Sequence, residues 1–565
     1  MDKNFITIDG IPVELNGEKN LLEVIRKAGI QMPTFCYHSE LSIYGACRMC
    51  MVENEKGGLD AACSTPPRPG MVIKTNTQRL RKYRKMILEL LLANHCRDCT
   101  TCDNNGTCKL QALAERFGIE GVRFPNTAAE PKLDTSSVCI TRDAHKCILC
   151  GDCVRVCNEI QNVGAIDFAH RGSKMTISTA FEGSLADSPC VGCGQCAAAC
   201  PTGAIVVKNN IDKVWAALDD KNIRVTVQVA PAVRVALGKA LGMQDGENSM
   251  GRIVAALRHM GFDAIFDTST AADLTVLEES AEFLKKVEEN KTDMPLFTSC
   301  CPAWIQFCEK HHPELLPYIS TCRSPMQMFA SVIKAEETED TRKHVHIAVM
   351  PCTAKKFEAA RDEFKVNGIP NVDYVLTTQE LIKMIKESGI IFAELEPEAV
   401  DMPFGVISGA GVIFGVTGGV TEAVLRRLSD QKTGATLMAI AYQDVRGMKG
   451  VKEARIPFGE TELKIAIVSG LRNASDLIER IKAGEHYDFV EVMACPGGCV
   501  AGAGQPFVDA SKKEARGKGL YAADKMCSIK HSEDNPLMDT LYNGILKGRV
   551  HELLHVHYGK DAHHA

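Results

Sequence analysis

Aromatic residues are scarce in this chain, at 6% of 565 residues with only two tryptophans. A secretory signal is also lacking, because the opening segment MDKNFITIDGIPVEL has no basic patch followed by an apolar core. The formal net charge is only −6, which argues against a general nucleic-acid surface. Hydrophobic residues at 45% and charged residues at 24% are ordinary for a folded protein and exclude a disordered or collagen-like chain.

Long apolar runs are missing too, apart from the uncharged stretch between Met402 and Thr421. A membrane-spanning helix needs about 20 predominantly apolar residues. This stretch contains many glycines, which favour buried turns that line a site over a span. We therefore expect no membrane contact and a cytoplasmic location.

Cysteine is the abundant exception, with 25 residues that form tight groups rather than a scatter. Without a secretory signal the thiols are expected to be reduced, and grouped reduced cysteines bind metal or do chemistry. The chain length, at roughly 100–200 residues per domain, indicates about three to five domains.

The N-terminal part has the pattern of a small α+β domain. Residues 4–15 alternate around Asp9-Gly10, which predicts a hairpin, and a short helix is expected over 21–28. Residues 78–94 then predict a helix that is basic at its start and apolar later.

The pattern changes from about residue 210. Strand-like runs at 223–231, 344–352, 463–470 and 487–499 alternate with helical stretches. This alternation predicts an α/β domain with largely parallel sheets.

Two copies of one cysteine pattern form the strongest motif. Each has the spacing C-x2-C-x2-C-x3-C of bacterial ferredoxins, in which the fourth thiolate of one copy binds the cluster of the other. One [4Fe–4S] cluster is therefore assigned to Cys147, Cys150, Cys153 and Cys200. The second is assigned to Cys190, Cys193, Cys196 and Cys157. Zinc uses separated C-x2-C pairs, so this pattern disfavours it.

Four earlier cysteines follow the expected hairpin and helix, namely Cys36, Cys47, Cys50 and Cys63. Four thiolates on loops beside a small β domain suit a [2Fe–2S] centre, although the spacing differs from the plant-type run. A zinc site stays open as the alternative.

A third group has the spacing H-x3-C-x2-C-x5-C and comprises His95, Cys99, Cys102 and Cys108. By itself this set fits tetrahedral zinc and a [4Fe–4S] cluster about equally. Beside the other iron–sulfur motifs the cluster is favoured, and an imidazole in place of a thiolate generally raises its potential.

Three further motifs lie in the α/β region: TSCCPAW at 298–304, MPCTAKK at 350–356 and EVMACPGGCVAGAGQP at 491–506. Their Cys-Pro and Gly-Gly turns would let the backbone approach a cofactor closely. From the residues alone, one more cluster could be held at strand ends by Cys301, Cys352, Cys495 and Cys499.

These three motifs resemble, in order, the three signatures of [FeFe]-hydrogenases of the monomeric clostridial type, and the resemblance covers essentially the whole chain. Ala303 is the close departure, because Gly is frequent there. The resemblance implies a multidomain α+β and α/β fold. Its parts would be an N-terminal β-grasp [2Fe–2S] ferredoxin domain (1–77), a His/Cys3 [4Fe–4S] domain (78–127), a bacterial 2[4Fe–4S] ferredoxin domain (128–209), a large two-lobed α/β H-cluster domain (210–514) and a small-subunit-like segment wrapping it (515–565).

The resemblance also implies an H-cluster that catalyses 2H⁺ + 2e⁻ ⇌ H2. Its [4Fe–4S] cubane would be held by the four late cysteines, with Cys499 bridging to a di-iron unit that carries CO, cyanide and dithiomethylamine. Lys355 would orient that unit through a charge-assisted hydrogen bond to a cyanide. Some relatives carry Ser at position 232, where this chain has Ala. The residues expected to pack at the di-iron unit are Met350, Met493, Pro325, Phe414, Ala230 and Pro231.

A proton path is implied by the same resemblance and would run through Cys300, Glu279, Ser320 and Glu282. The helix that carries both glutamates shows an expected apolar stripe of Leu274, Leu277, Ala281 and Leu284. Judged by that stripe alone, the glutamates would face solvent. The resemblance favours the path instead.

Ferredoxin or flavodoxin is the expected electron carrier of such a ferredoxin hydrogenase, and maturation proteins would supply the di-iron unit. No Gly-rich dinucleotide fingerprint follows a strand, which disfavours direct use of NADH. Two alternatives stay open: an iron–sulfur subunit of an NAD-linked complex, and a non-turnover H2 sensor or cluster-assembly protein on the same fold.

No role is assigned to Cys96, Cys139, Cys308, Cys322 and Cys527.

Overall fold

The computed structural model describes residues 4–127, 132–289, 294–336, 339–366, 368–428, 445–458, 461–506 and 509–559. The chain divides into two compact units. The first comprises Met1–Glu159, Gly164–Cys190 and Cys196–Val206, and the second comprises Ile160–Val163, Val191–Gln195 and Val207–Ala565. The finer division into five parts stays a prediction, and its boundary at 127/128 adjoins residues outside the described ranges.

The first unit opens with a five-stranded sheet in the order β2-β1-β5-β3-β4. Its strands are β1 (Phe5–Ile8), β2 (Ile11–Glu14), β3 (Met51–Asn54), β4 (Leu59–Ala61) and β5 (Val72–Lys74). Strands β1 and β2 pair antiparallel, and Asp9 and Gly10 between them both have positive φ, which confirms the predicted hairpin.

Helix α1 (Leu21–Lys27) follows the hairpin and covers the sheet. Its side-chain cap is Asn20, which accepts a hydrogen bond from the Glu23 amide at 3.1 Å. Its buried residues, Leu21, Leu22, Val24 and Ile25, belong to one core with the sheet residues Ile6, Ile8, Val52 and Ile73. The predicted helix over 21–28 is therefore confirmed.

The predicted helix over 78–94 is also present, as α2 (Gln78–Ala93). The helices that follow are α3 (Lys109–Arg116), α4 (Asp152–Arg155) and α5 (Gln195–Ala199). Short strands accompany them: β6 (Leu133–Asp134), β7 (Ile140–Asp143), β8 (Asp167–Ala169), β9 (Thr176–Ser178) and β10 (Ile205–Val207). They form a three-stranded sheet, β10-β7-β6, and a β8–β9 hairpin, as small ferredoxin-like segments do.

The second unit has two four-stranded sheets. The first sheet, in the order β12-β11-β14-β17, is parallel throughout, which confirms the α/β prediction. Its strands are β11 (Ile223–Val229), β12 (Ala264–Asp267), β14 (Lys343–Met350) and β17 (Tyr374–Thr377). The central strands β11 and β14 are buried on both faces along most of their length, as in a sheet that helices cover on both sides.

The second sheet has the order β13-β20-β19-β18. Its strands are β13 (Leu296–Phe297), β18 (Val451–Phe458), β19 (Thr461–Ser469) and β20 (Phe489–Met493). β13, β20 and β19 run parallel, whereas β18 pairs antiparallel with β19. A small antiparallel pair, β15 (Lys365–Val366) and β16 (Ile369–Pro370), lies outside both sheets.

The helices of the second unit surround these sheets. They are α6 (Ile211–Asp219), α7 (Met250–His259), α8 (Ser269–Glu288), α9 (Pro302–His311), α10 (Pro325–Ala335), α11 (Ala354–Ala360), α12 (Thr378–Glu387), α13 (Gly409–Val412), α14 (Gly419–Leu428), α15 (Leu471–Lys482), α16 (Ala510–Met526), α17 (Pro536–Asn543) and α18 (Val550–Leu554). The predicted boundary at 514/515 falls inside α16.

The glycine-rich stretch from Met402 to Thr421 forms short buried helices and turns. Gly411 shows why glycine is needed, because a Cβ there would lie 2.3 Å from the Ser269 carbonyl oxygen. In the described ranges, no helix combines the length and the apolar character that a membrane crossing requires.

Candidate active site

The four late cysteines lie just beyond the carboxyl ends of strands or at the turns that follow them. Cys301 follows β13, Cys352 follows β14, and Cys495 and Cys499 follow β20. The carboxyl ends of parallel strands are where α/β proteins place their ligands. Parallel strands from both sheets therefore deliver cysteines to one place.

These four thiols are near enough to affect one another's pKa values. Burial, followed by the charge of Cys301, raises the pKa of Cys352 to about 12. Burial raises the pKa of Cys495 well above its usual value, and Cys352, Cys301 and Cys499 add to the shift. Buried thiols with raised pKa values suit a site whose bound metal would hold them as thiolates.

The backbone around the late cysteines leaves no room for side chains at two glycines. A Cβ on Gly498, whose φ is +91°, would lie 2.5 Å from the Thr417 amide nitrogen. A Cβ on Gly502 would lie 2.1 Å from the Pro351 carbonyl oxygen. The CPGGC turn thus brings backbone close to the cysteine group, as a cofactor cradle requires.

Amide donors point at two of the sulfurs. The Ala494 amide lies 3.5 Å from Cys301 Sγ, and Gln195 Nε2 lies 3.1 Å from Cys495 Sγ. Hydrogen bonds to cluster sulfurs are one of the means by which a protein sets a cluster potential. These two donors are therefore in position to tune a cluster bound by the thiols.

Cys300 lies beside the ligand group and packs against Phe414, Met493 and Val276. Burial raises the pKa of its thiol well above the usual value, and the carboxyl of Glu279 adds to that shift. The thiol is therefore held protonated beside a buried acid.

Lys355 lies beside Cys300. Its Nζ donates to the Cys300 carbonyl oxygen at 3.3 Å and pairs with Glu358 at 2.7 Å. Burial by itself lowers the pKa of Lys355, but Glu358 outweighs burial and raises the pKa above the usual value. A fixed cation therefore faces the place where the late cysteines meet.

Glu279 is completely buried, with 0% of its surface exposed. Burial, reinforced by the carboxylates of Glu282 and Glu491, raises the pKa of Glu279 to about 8. Neither carboxyl oxygen makes a hydrogen bond of normal geometry, although the Ser320 side chain and the Ser299 amide approach it and partly offset the shift. Such a carboxyl group can hold or release a proton near neutral pH.

Ser320 connects Glu279 with Glu282. Its hydroxyl donates to Glu282 Oε2 at 2.6 Å, and the Thr321 amide donates to both oxygens of Glu282 at 3.1 and 3.2 Å. The structure therefore brings together all four residues of the predicted proton path.

The predicted apolar stripe on α8 is wrong in part. Leu274 is fully buried, but Ala281 is exposed, and Leu277 and Leu284 are only half-buried. Because α8 is packed on most of its circumference, polar residues such as Glu279 and Ser280 are buried as well. The solvent-facing position that the stripe gave to Glu279 is therefore wrong.

The six residues expected at the di-iron unit come from several elements of the second unit. Phe414 and Met493 pack with Cys300. Met350 and Ala230 belong to the core of the parallel sheet. Pro231 is buried at the start of a short helix, and Pro325 opens α10.

In the first unit, two groups of predicted ligands line cavities. Cys147, Cys150, Cys153 and Cys200 line one cavity together, as the crosswise ferredoxin pairing requires. His95, Cys99, Cys102 and Cys108 line another. The His95 Nε2 atom is buried without a hydrogen-bond partner, which leaves it available to a metal.

The remaining predicted ligands of this unit also gather. Cys36 lies beside Cys47, whose amide approaches its sulfur at 3.3 Å. Hydrogen bonding with Cys50, then burial and the charges of Cys50, Cys36 and Cys47, raises the pKa of the Cys63 thiol above its usual value. Cys157 and Cys190 both raise the pKa of Cys196, whose largest shift comes from burial. Cys193 falls in the second unit.

Zinc requires ligand atoms close around one ion, with sulfurs about 2.3 Å from the metal. Among the residues that the structure describes, no three His, Cys, Asp or Glu side chains are spaced to hold a single metal ion. The ferredoxin-like spacing of the cysteines is what favours iron–sulfur clusters over zinc.

Three residues near the site escaped the sequence analysis. Glu491 accepts hydrogen bonds from the amides of Gly418 and Thr421 at 2.6 and 2.8 Å. Lys452 donates to the carbonyl oxygens of Thr417 and Val445, and burial lowers its pKa to about 8. The third is Gln195, whose position inside the second ferredoxin motif is its only sequence signal.

Comparison with known families accounts for nearly every part of the chain. Residues 223–503 match the C-terminal domain of the iron only hydrogenase large subunit, and residues 510–561 match the iron hydrogenase small subunit. Upstream, residues 5–78 match a 2Fe-2S iron-sulfur cluster binding domain, residues 84–123 match the NADH-ubiquinone oxidoreductase-G iron-sulfur binding region, and residues 146–204 match a 4Fe-4S dicluster domain. The predicted multidomain fold class is confirmed.

Two relatives match along their whole lengths. The chain is 43% identical to NADP-reducing hydrogenase subunit HndD of Solidesulfovibrio fructosivorans, over 98% of each chain. It is 36% identical to iron hydrogenase 1 of Clostridium pasteurianum, over 98% of this chain and 100% of that protein. A shorter likeness, 31% over 65% of this chain and 82% of the relative, is to cytosolic iron-sulfur assembly component 3 of Rattus norvegicus.

Among solved structures, [FeFe]-hydrogenase HydA1 from Chlamydomonas reinhardtii is similar, with a TM-score of 0.52 and 37% identity over 62% of this chain and 98% of that chain. The fold and the thiol groups define an iron–sulfur oxidoreductase with several cluster domains. The chain belongs to the iron-only, or [FeFe], hydrogenase family, which confirms the resemblance of the three motifs.

Proposed function

We propose that this protein catalyses 2H⁺ + 2e⁻ ⇌ H2 at an H-cluster bound by Cys301, Cys352, Cys495 and Cys499. The observation that carries the proposal is the placement of Cys300 between this buried thiol group and the buried acid Glu279. A site that only stored or passed electrons would have no use for a proton-bearing thiol and carboxyl at this place.

The four sulfurs, the glycine cradle and the inward-facing amides fit a bound cluster. The H-cluster, when bound, supplies the open iron site and the bridging amine at which H2 is made or split. Lys355, held by Glu358, presents a cation that can bind an anionic cyanide ligand. Phe414 and Met493 exclude water from the neighbourhood of Cys300.

Proton movement is the task of this chain's own side chains. Cys300 exchanges a proton with Glu279, whose pKa of about 8 lets it accept and donate near neutral pH. Ser320 and Glu282 continue the path outward through their 2.6 Å hydrogen bond. Electrons and protons thus reach the site by different routes.

Electrons would arrive through four accessory clusters, one [2Fe–2S] and three [4Fe–4S]. The cysteines grouped in the first unit, with His95, support this count. A neutral His95 ligand would give its cluster a higher potential than an all-thiolate one, because one negative charge is missing.

The proposed carrier is a small acidic ferredoxin or a flavodoxin. On this protein, the surface proposed to bind the carrier is the exposed face of α2. That face carries Arg81, Lys82 and Lys85 beside the exposed apolar side chains of Met86 and Leu90. A basic face with an apolar centre suits an acidic partner, because complementary charge speeds association and apolar contact slows dissociation.

A second candidate is membership of a larger assembly that reduces NADP. The similarity over 98% of its length to a protein that carries the name NADP-reducing hydrogenase favours it. This sequence shows no dinucleotide fingerprint, so the nucleotide would have to bind another chain.

Purified protein, matured with a di-iron unit, tests the proposal. Infrared bands of CO and cyanide together with H2 evolution from reduced methyl viologen are expected. Bands without turnover would instead indicate a sensor. Accessory iron–sulfur signals with neither bands nor H2 would indicate an electron-transfer or cluster-assembly protein.

A further inference from the structure

His555, in the C-terminal part of the chain, forms hydrogen bonds at both ring nitrogens. Its Nδ1 lies 2.9 Å from the Thr321 hydroxyl, and its Nε2 lies 3.1 Å from Glu278 Oε2. Its side chain is only 9% exposed. A nearly buried histidine with a hydroxyl on one nitrogen and a carboxylate on the other can pass protons between them.

Glu278 is anchored from two sides. The other oxygen of its carboxylate accepts a hydrogen bond from the Tyr542 hydroxyl. Burial by itself raises the pKa of Glu278, but the hydrogen bonds from His555 and Tyr542 outweigh burial and hold it below the usual value. Glu278 therefore stays ionised and can stabilise a positive charge on His555.

The His555–Glu278 pair contacts the proposed proton path at its outer end. Thr321 donates its backbone amide to Glu282 and shares its hydroxyl with His555. Glu278 and Glu282 are also one turn apart on α8, so their side chains lie on the same face of the helix. The Cys322 thiol lies 3.9 Å from Glu282 Oε2, and burial, followed by the charges of Glu279 and Glu282, raises its pKa well above the usual value.

The His555–Glu278 pair also contacts an exposed side chain. The exposed ring of His551 lies over His555, with a distance of 4.7 Å between the ring centroids. The Arg323 guanidinium faces the backbone of His555, where it donates to the carbonyl oxygen at 2.9 Å, and not the ring. The imidazole of His555 thus lies between Thr321, which holds the half-buried Glu282, and the exposed ring of His551.

We propose that His555, paired with Glu278, is the outward station of the proton path, a step that rests on the proposed hydrogenase function. In the direction of H2 oxidation, the proton of Glu282 crosses one water molecule to the Thr321 hydroxyl, which lies on the residue whose amide holds the Glu282 carboxyl, as that hydroxyl passes its own proton to His555 Nδ1. The imidazolium then releases its Nε2 proton through Glu278 to water, and H2 evolution uses the reverse sequence. His555 is a positioning and relay residue, since it touches no cluster.

The test uses the full matured protein and three variants, His555→Gln, Thr321→Val and Glu278→Gln. Each is expected to keep the CO and cyanide bands while its H2 turnover with viologen falls about tenfold, less than a residue next to the reacting atoms would cost. The solvent deuterium isotope effect is expected to rise, because proton exit becomes slower. Added imidazole is expected to restore turnover to His555→Gln.

His557→Gln is the matched control, because His557 is an exposed histidine two positions further along the same segment. It is expected to retain turnover and isotope effect. Wild-type turnover and an unchanged isotope effect in both His555→Gln and Thr321→Val would overturn the proposal and leave the proposed function intact, provided Cys300→Ala is inactive. A wild-type protein with neither infrared bands nor H2 evolution would overturn both.

Discussion

Gln195 Nε2 donates a hydrogen bond to Cys495 Sγ at 3.1 Å and another to the Ala501 carbonyl oxygen at 3.3 Å. Gln195 stands between Cys193 and Cys196 in the sequence, inside a motif assigned to an accessory cluster. One side chain from that motif therefore bonds a sulfur assigned to the H-cluster. A donor on the sulfur stabilises the more negative, reduced form of a cluster.

Replacing Gln195 by Leu is expected to make the potential of the H-cluster cubane more negative. The shift should be about 20–60 mV, because a net hydrogen bond contributes about 0.5–1.5 kcal/mol and about 59 mV corresponds to a tenfold change for one electron. A redox titration followed by infrared and electron paramagnetic resonance spectroscopy measures it. Gln379→Leu is the control, since Gln379 donates to carbonyl oxygens and not to sulfur.

Cys300→Ala is expected to retain every cluster signal and to lose turnover by about 10²–10⁴-fold, the usual contribution of a positioned acid or base. Alanine cannot carry the proton between the cluster and Glu279. H2 evolution with viologen and the CO and cyanide bands report the two properties separately. Cys308→Ala, at a buried cysteine with no assigned role, controls for loss of a core thiol, and near-normal evolution by Cys300→Ala would remove the relay role.

The protonation of Glu279 can be observed directly. Since its folded pKa of about 8 is raised from 4.5, the carboxyl is protonated below about pH 8 and ionises as the pH rises through that value. Stability from the neutral form is complete below about pH 4.5 and is lost as the pH rises through about 8. Infrared difference spectra should show a protonated-carboxyl band that disappears near pH 8.

The same band should be absent at every pH in Glu279→Gln. The neighbouring variant Glu278→Gln changes a carboxylate that is held ionised, so it serves as the control and should leave the band in place. A band that disappears near pH 4–5 would show that Glu279 is solvated after all.

Charge reversal on α2 tests the proposed carrier surface. Lys82→Glu together with Lys85→Glu should raise KM for reduced ferredoxin several-fold at low salt, with the viologen rate as reference. The effect should shrink as salt is added, because exposed charges are screened within about 10 Å at 0.1 M. Lys221→Glu reverses an equally exposed charge in the second unit, and an identical rise in KM there would argue against the α2 surface.

The sets of candidate metal ligands could be predicted from the sequence because most members of each set are close together in the chain. Cys147, Cys150 and Cys153 lie within one turn region, and the spacing of the second copy indicates that Cys200 joins them, as the shared cavity shows. The parallel sheet was also predictable, because strand-like runs that end at turns alternate with helical stretches from about residue 210.

Contacts between side chains that are far apart in the sequence could not be predicted. Nothing in a periodic pattern places Gln195 on Cys495 or Glu491 on the amides of Gly418 and Thr421. The α8 stripe failed because burial on most sides of a helix overrides an apolar face, so that Glu279 is buried although polar.

His555 and Glu278 bond each other across 277 positions of the chain. Helix α8, which carries Glu278 and Glu279, also packs through Leu274 on Leu541 and Leu554 of α17 and α18. A ribosome completes α8 long before it reaches those helices, and domains fold as their last elements emerge. Glu278 therefore gains its His555 partner only late in synthesis, and we expect a cluster to enter this unit after the C-terminal helices have been translated.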